Sequence, residues 1–219
     1  MNVMITGANR GIGLALVKQY LAKGHTVYAL CRHPSEELNN TDAQVISGVN
    51  LLDTDVIRNA LAGLEGIEID VLINNAGVLA AESIDDWSPA TIEQQFRVNA
   101  LGPLLVTQAL LPQLSSGSKV IMITSRMGSM ADNGSGGYYG YRMSKAALNA
   151  AGVSLAQDLK PRGIAVALLH PGYVQTEMVG YGGDISADTS ASRLVSRIDE
   201  LSIENSGIFQ HSNGEELPW

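Results

Sequence analysis

Residues 3–13 read Val3-Met4-Ile5-Thr6-Gly7-Ala8-Asn9-Arg10-Gly11-Ile12-Gly13. The first three side chains are apolar and predict a buried strand, whereas residues 11–23 have the spacing of a helix. Glycines between a strand and a helix let the backbone turn sharply and approach a phosphate. The free N–H groups at the start of such a helix also favour an anion. The stretch therefore predicts a dinucleotide-binding loop, the alternative being a tight turn without a ligand.

The rest of the sequence alternates short apolar runs with longer helical patterns. Strands are predicted at residues 3–5, 26–31, 44–49, 71–73, 120–124, 164–169 and 207–209. Helices are predicted at residues 11–23, 53–61 with Asp53 as N-cap, 89–114 with an interruption at Gly102-Pro103, 141–160 and 187–201. The strands are uniformly apolar, which is typical of strands buried on both faces of a parallel sheet. We therefore expect one α/β domain over residues 1–219, a Rossmann-type doubly wound parallel sheet of about seven strands with helices on both faces.

The composition supports this fold class and argues against several kinds of partner. The chain has 219 residues, of which 45% are hydrophobic, enough for a full core. Its net charge of −8 disfavours nucleic acid and anionic membranes. Cys31 is the only cysteine, so no internal disulfide can form and a reducing cytoplasm is expected. No apolar run reaches the ~18–20 residues of a membrane span, no signal peptide is expected, and the dispersed histidines predict no metal site.

A tyrosine and a lysine near the predicted sheet edge form a candidate catalytic pair. Lys145 follows Tyr141 by four residues, so both side chains lie on one face of a helix. A nearby cation is expected to lower the pKa of Tyr141 from about 10, so that the phenol can exchange a proton with a substrate oxygen. Ser125 ends the fifth predicted strand and can bond a carbonyl oxygen, although it can equally be an ordinary turn residue. Tyr138 and Tyr139 are expected to line the pocket.

The end of the second predicted strand indicates which dinucleotide binds. An NAD site usually carries Asp or Glu there, to bond the ribose 2′-hydroxyl. This chain has Cys31, Arg32 and His33 instead, and Arg10 adds a second cation from the glycine-rich loop. Two guanidinium groups without a carboxylate favour a 2′-phosphate. The sequence therefore predicts NADP(H) over NAD(H), unless Arg32 is only a solvated loop charge.

Polar residues at two further places extend the candidate site. Asn74 and Asn75 end the fourth predicted strand, where their amides can bond neighbouring backbone and stiffen the sheet. Asn99 lies in the middle of a predicted helix, where asparagine is usually a tolerated polar residue. The glycine-rich segments at residues 134–137 and 180–183 are expected to be irregular. Four methionines are expected near the pocket, at positions Met127, Met130, Met143 and Met178.

Together these motifs resemble the short-chain dehydrogenase/reductase superfamily in its compact single-domain form, over essentially the whole chain. The likeness rests on residues 6–13, 74–77, Asn99, Ser125, Tyr141 with Lys145, and residues 171–176. The pattern from Ser125 to Lys145 is most similar to C-factor and sniffer-like carbonyl reductases. The resemblance implies that Tyr141 is the general acid/base, that Lys145 lowers its pKa, that Ser125 orients the carbonyl and that Asn99 anchors a water relay.

The resemblance also implies a set of cofactor contacts. They are Gly7, Asn9, Arg10, Gly11, Ile12, Gly13, Arg32, Asn50, Leu51, Asn75, Ala76, Gly77, Tyr141, Lys145, Pro171, Gly172, Val174 and Thr176. Asn50 stands where family members commonly carry Asp, and the short segment after Thr176 predicts an open pocket with loose selectivity.

The activity so implied is NADP(H)-dependent hydride transfer between nicotinamide and a small carbonyl or alcohol substrate. The alternative is a non-catalytic NADP(H)-binding signalling protein of C-factor type. Family analogy favours a homodimer or homotetramer.

Overall fold

The computed structural model describes residues 1–219 and contains a seven-stranded parallel sheet. The strands are β1 (Asn2–Thr6), β2 (Thr26–Leu30), β3 (Gln44–Ile46), β4 (Val71–Asn74), β5 (Lys119–Ile123), β6 (Ala165–His170) and β7 (Ile208–His211). The helices are α1 (Gly11–Ala22), α2 (Glu36–Asn39), α3 (Thr54–Ala62), α4 (Pro89–Phe96), α5 (Gly102–Leu110), α6 (Tyr139–Leu159) and α7 (Ala187–Glu200). None of these helices has the length and apolar character needed to cross a membrane.

The sheet has the order β3-β2-β1-β4-β5-β6-β7, and the chain crosses from the edge strand β3 back to β4 in the middle. Ligands of open α/β sheets bind at such a reversal point, outside the carboxyl ends of the strands. One apolar cluster packs α1 and α7 on one face, and a second packs α3, α5 and α6 on the other. Val3 and Ile5 belong to the first cluster and Met4 to the second, so β1 is buried on both faces. The predicted doubly wound sheet is confirmed.

The predicted interruption at Gly102-Pro103 is replaced by a widened helical turn. A π-helical turn, Arg97–Leu101, joins α4 to α5 without a break. Pro103 has no N–H with which to reach the carbonyl of Asn99. The Gly102 N–H donates instead to the carbonyl of Arg97, five residues back. The proline thus places Asn99 in a π turn, a feature frequent at functional sites.

Element ends follow the local cap residues. β3 ends at Ile46 instead of residue 49, and Gly48 just beyond it takes a left-handed conformation with a φ of +77°. The short helix α2 was not predicted, although Ser35 caps it: its Oγ accepts from the Leu38 N–H at 3.1 Å. Asp53 caps α3 as predicted, because its carboxylate accepts two N–H groups of the first turn.

Candidate active site

A cavity of about 410 Å³ opens at the carboxyl edge of the sheet, beyond the ends of the neighbouring strands β1 and β4. Its walls come mainly from the segments that follow β1, β2, β3, β4 and β6, from the end of β5 and from the N-terminal parts of α1 and α6. The predicted site residues that line it are Gly7, Asn9, Arg10, Gly11, Ile12, Gly13, Arg32, Asn50, Leu51, Asn75, Ala76, Gly77, Tyr141, Lys145, Pro171 and Thr176. The glycine-rich loop, the two arginines and the tyrosine–lysine pair therefore face one shared space.

Four predicted site residues lie outside this lining: Ser125, Asn99, Gly172 and Val174. Val174 is buried and pairs with Ile185 in an isolated bridge. Gly172 has a φ of +96°, and a Cβ there would lie 3.0 Å from the Ile185 side chain. These two residues therefore support the loop after β6 through its contacts with Ile185, without lining the cavity.

The glycine-rich loop is held against the end of β4 by Asn75 and Thr6. Asn75 Nδ2 donates to the carbonyl oxygens of Thr6 and Gly7, at 3.0 and 3.2 Å. The Thr6 hydroxyl accepts from the backbone N–H groups of Asn75 and Ala76, both at 3.0 Å. A Cβ at Gly7 would lie 2.8 Å from Ala76 Cα, and one at Gly13 would overlap the carbonyl oxygen of Gly7. The amide of Asn75 thus bonds neighbouring backbone as predicted, and a side chain at either glycine would clash with protein atoms.

The start of α1 can receive an anion. No side chain caps this helix, and its first turn contains no acidic residue. The N–H groups of the first turn therefore have no carboxylate competing for them. Gly11 has a φ of +53°, and a Cβ there would lie 3.3 Å from Thr176 Cγ2. The loop after β6 consequently closes over the glycine-rich loop on this side.

The two arginines of the cavity differ in their partners. Arg10 forms an ion pair with Glu177, just beyond Thr176. Arg32 makes no ion pair and stays available to a ligand. The segment after Thr176, predicted to leave the pocket open, contributes Glu177, Met178 and Tyr181 to the lining. Arg10 is therefore held by this segment, whereas Arg32 is not.

Tyr141 lies in the first turn of α6 and lines the cavity. Burial raises the pKa of its phenol to about 12, and the neighbouring Ser125 hydroxyl lowers it by a smaller amount. The prediction that Lys145 lowers the pKa of Tyr141 is wrong for this structure. Lys145 Nζ lies 5.8 Å from the centroid of the Tyr141 ring and donates to the Ile123 carbonyl at 2.8 Å. At neutral pH the phenol therefore keeps its proton.

Lys145 is a buried cation at the base of the same space. Only 4% of the residue is exposed, and burial lowers the pKa of its ammonium to about 8. The lysine is therefore charged at neutral pH and loses its proton in mildly alkaline solution.

Asn99 connects the loop after β4 to α6. Its Oδ1 accepts from the Val78 N–H and its Nδ2 donates to the Val78 carbonyl, both at 2.8 Å. Nδ2 also donates to Ser144 Oγ at 3.0 Å. Such a fully bonded buried amide does more than a merely tolerated polar residue. Its Oδ1 and Lys145 Nζ would lie 3.3 and 3.8 Å from a Cβ at Gly77.

This arrangement agrees with a comparison of the whole sequence with known families. Residues 1–185 match the family model described as short chain dehydrogenase. The chain belongs to the short-chain dehydrogenase/reductase family. It is therefore an oxidoreductase, and the family and enzyme class predicted from the sequence are confirmed.

Two named relatives are similar to this chain over most of its length. The 1-hydroxy-2-glutathionyl-2-methyl-3-butene dehydrogenase of Rhodococcus sp. (strain AD45) is 36% identical over 223 residues, which cover 99% of each chain. The C-signal of Myxococcus xanthus is 49% identical over 154 residues, which cover 69% of this chain and 93% of C-signal. The predicted likeness to C-factor proteins is confirmed.

Solved carbonyl reductases share the whole fold of this short-chain dehydrogenase. The NADPH-bound carbonyl reductase from chicken fatty liver superposes with a TM-score of 0.91 at 31% identity, covering 100% of this chain and 98% of the reductase. The carbonyl reductase Sniffer of D. melanogaster gives a TM-score of 0.92 at 30% identity, with coverages of 100% and 99%. The predicted likeness to sniffer-like reductases is therefore also confirmed.

Several residues that line the cavity were not predicted from the sequence, and some residues that were expected there lie outside it. The unpredicted lining residues include Cys31, Gln94, Val98, Gln175, Glu177 and Tyr181. Tyr138 and Tyr139, expected in the lining, are exposed residues at the start of α6 and lie outside it. Of the four methionines expected near the pocket, only Met178 lines it. Glu177 and Tyr181 follow closely after the predicted contact Thr176, and this closeness in sequence could have indicated them. The short segment was instead expected to leave the pocket open.

The buried ammonium of Lys145 predicts a pH dependence of stability. Because its pKa falls from 10.5 to about 8 on folding, the unfolded chain binds more protons between these values, and stability rises with pH across that window. The full effect is about 3 kcal/mol. Urea unfolding of the wild type and of Lys145→Met from pH 7 to 10.5 measures it. We expect the wild type to gain stability relative to the variant, and parallel curves would contradict the lowered pKa.

Proposed function

We propose that the chain catalyses NADP(H)-dependent hydride transfer between nicotinamide and a small carbonyl or alcohol substrate, with Tyr141 as general acid/base. The observation that carries this proposal is the single cavity lined by both the glycine-rich loop and the Tyr141–Lys145 pair. Reduction of a carbonyl needs a hydride from the bound dinucleotide and a proton from an acid. A cavity that contains both a phosphate-binding loop and a proton donor can supply both.

The residues present fit a dinucleotide. A Cβ at Gly7 or Gly13 would clash with neighbouring protein atoms, so the loop is compact and carries no side chain at these positions. Such a loop can bring its backbone close to a pyrophosphate. The uncapped start of α1 offers N–H groups to the same phosphates. When bound, the nicotinamide supplies the hydride. The likeness to an NADPH-bound carbonyl reductase supports the same assignment.

The side chains around Tyr141 have distinct proposed roles. A phenol with a pKa of about 12 holds its proton at Oη throughout the neutral range and can donate it to an oxygen that gains negative charge. The hydroxyl of Ser125, beside that phenol, can orient the carbonyl oxygen. The ammonium of Lys145 adds positive charge to the wall that a developing alkoxide would face. Asn99 holds the Gly77–Val78 backbone against α6 and so fixes this wall.

Arg32 carries the proposed preference for NADP(H). A guanidinium without an ion-pair partner can bond a 2′-phosphate, and a charged hydrogen bond of this kind contributes about 1.5–3 kcal/mol. Arg32→Ala is therefore expected to lower the ratio of kcat/KM for NADPH to that for NADH by roughly 10–100-fold. Arg58→Ala, which removes an exposed arginine of α3, is the matched control. An unchanged ratio in Arg32→Ala would remove this residue from cofactor selection.

The test of the activity is the loss of NADPH absorbance with a panel of aldehydes, ketones and diketones, run beside NADH. Turnover that prefers NADPH is the expected result, and the best substrates would define the pocket. Turnover of a single substrate across the panel would contradict the predicted loose selectivity.

A second candidate is a non-catalytic NADP(H)-binding signalling protein, favoured by the 49% identity to C-signal. A pure binder has no need of a buried ammonium beside a protonated phenol, and this argues for the enzyme. Tight NADPH binding without turnover of any carbonyl would favour the signalling role instead.

We also propose that residues 1–219 form one domain that carries both functions, since one cavity contains both sets of residues. A cytoplasmic location and a homodimer or homotetramer stay predictions, the latter open to light scattering.

A further inference from the structure

Glu82 is a buried carboxylate in the loop between β4 and α4, outside the cavity lining. Only 8% of the residue is exposed. Its Oε1 accepts from Gln95 Nε2 at 2.9 Å and from Thr91 Oγ1 at 3.2 Å. Its Oε2 accepts from the backbone N–H of Gly140. Both carboxylate oxygens are therefore used by donors, and a buried group bonded in this way holds its neighbours in one arrangement.

The same glutamate caps the catalytic helix. Tyr138, the N-cap of α6, is left-handed with a φ of +51° and provides no side-chain cap. Its N–H donates to the backbone carbonyl of Glu82 at 2.8 Å, and the Gly140 N–H donates to the carboxylate. A residue from another loop thus satisfies two N–H groups at the start of α6. Tyr141 is the next residue along this turn.

Gly140 packs closely against the side chains of Glu82 and Gln95. A Cβ at this position would overlap Gln95 Nε2 and lie 2.9 Å from Glu82 Oε1. The Gln95 amide is itself fixed, because its Oε1 accepts from the Ala80 N–H at 3.0 Å. The first turn of α6 therefore rests directly on a rigid polar cluster.

This cluster repeats the arrangement around Asn99 one helical turn away. Gln95 and Asn99 are four residues apart on the α4 side, and both bond the backbone of the loop after β4. Gly140 and Ser144, their counterparts on α6, are also four residues apart. Each counterpart directly precedes one of the candidate catalytic residues, Tyr141 or Lys145. The two amides thus hold the loop against α6 at the two turns that carry this pair.

We propose that Glu82, together with Gln95, is the positioning residue for Tyr141, an inference that rests on the proposed function of this tyrosine. The carboxylate fixes the height and rotation of the first turn of α6, and so sets where the phenol lies in the cavity. Displacement of a catalytic group by about 1 Å can cost on the order of 10² in rate.

Glu82→Gln is the direct test, because glutamine keeps the shape but must turn an NH2 group toward one of the donors. We expect kcat for carbonyl reduction to fall roughly 10–100-fold. The Kd for NADPH, measured by fluorescence titration, should stay within about twofold, since Glu82 does not line the cavity. Glu93→Gln makes the same change at an exposed position of α4 and should leave both values unchanged.

The swapped double variant Glu82→Gln/Gln95→Glu separates positioning from a general loss of packing. Glutamine at 82 can accept from the Gly140 N–H and donate to glutamate at 95, which still accepts from the Ala80 N–H. Thr91 can adapt, because its single hydroxyl proton has the Ser88 carbonyl, at 2.9 Å, as an alternative acceptor. The swap should therefore recover most of the lost kcat.

The outcomes distinguish the two proposals. No carbonyl turnover by the wild type would remove the proposed function and this inference with it. Normal kcat in Glu82→Gln, beside an active wild type, would overturn this inference alone. A single variant that fails to fold, or a folded double variant without recovery, would assign the cluster to stability and also overturn positioning.

Discussion

Tyr141→Phe should lower kcat for carbonyl reduction by roughly 10²–10⁴, the usual contribution of a general acid. The substitution removes the phenol Oη and keeps the ring, so the packing of the ring at the start of α6 is preserved. The Kd for NADPH should change little, because phenylalanine still lines the cavity. Steady-state rates and fluorescence titration of the same preparation measure both effects.

Tyr139→Phe is the matched control for this prediction. Tyr139 lies two residues earlier in the same helix, is exposed and does not line the cavity. The same loss of a hydroxyl there should leave kcat unchanged. Near-normal turnover in Tyr141→Phe would rule out Tyr141 as the acid and leave Lys145, with its pKa of about 8, as the next proton donor to test.

Tyr141 and Lys145 also give different expectations for the pH–rate profile. The pKa of Tyr141 lies near 12, whereas that of Lys145 lies near 8. A break near pH 8 in the wild-type profile would therefore belong to the lysine in the first instance. This assignment differs from the expectation from the sequence, in which Lys145 lowers the pKa of Tyr141.

The parts of the candidate site that the structure brings together as expected from the sequence are local in the chain. The glycine-rich loop and the Tyr141–Lys145 spacing each fit within one strand–turn–helix unit or one helix, where period and turn chemistry decide the geometry. The doubly wound sheet was predictable for the same reason, because seven apolar runs alternate with helical patterns. Element ends were less certain where a single residue such as Gly48 stops a strand.

The remaining features depend on pairs far apart in sequence. Arg10 and Glu177 are separated by 167 residues, and Glu82 and Gly140 by 58. The periodic sequence patterns that predict helices and strands do not reveal contacts between residues so far apart in the chain. The pKa of Tyr141 was misjudged for a related reason, since burial, which outweighs its polar neighbours, is known only after the chain is folded. Asn99 likewise became interpretable only through its bonds to Val78 and Ser144.

Gly13→Ala is expected to disable the cofactor loop. The new Cβ would overlap the Gly7 carbonyl oxygen and lie 2.6 Å from Asn75 Nδ2, so the loop backbone must move and the hydrogen bonds from Asn75 must break. Overpacking against backbone of this kind costs about 3 kcal/mol. Loss of two charged hydrogen bonds to the phosphates would weaken NADPH binding by roughly 100-fold or more. Urea unfolding and fluorescence titration measure the two losses.

Gly63→Ala is the control, because Gly63 has a φ of −66° and no atom within 4 Å of the new Cβ. It should leave both stability and NADPH binding unchanged. Normal NADPH affinity in a folded Gly13→Ala protein would mean that the loop does not hold the pyrophosphate. Lowered stability with normal affinity would reduce Gly13 to a packing residue between α1 and the loop, and the dinucleotide would have to be held by other parts of the cavity.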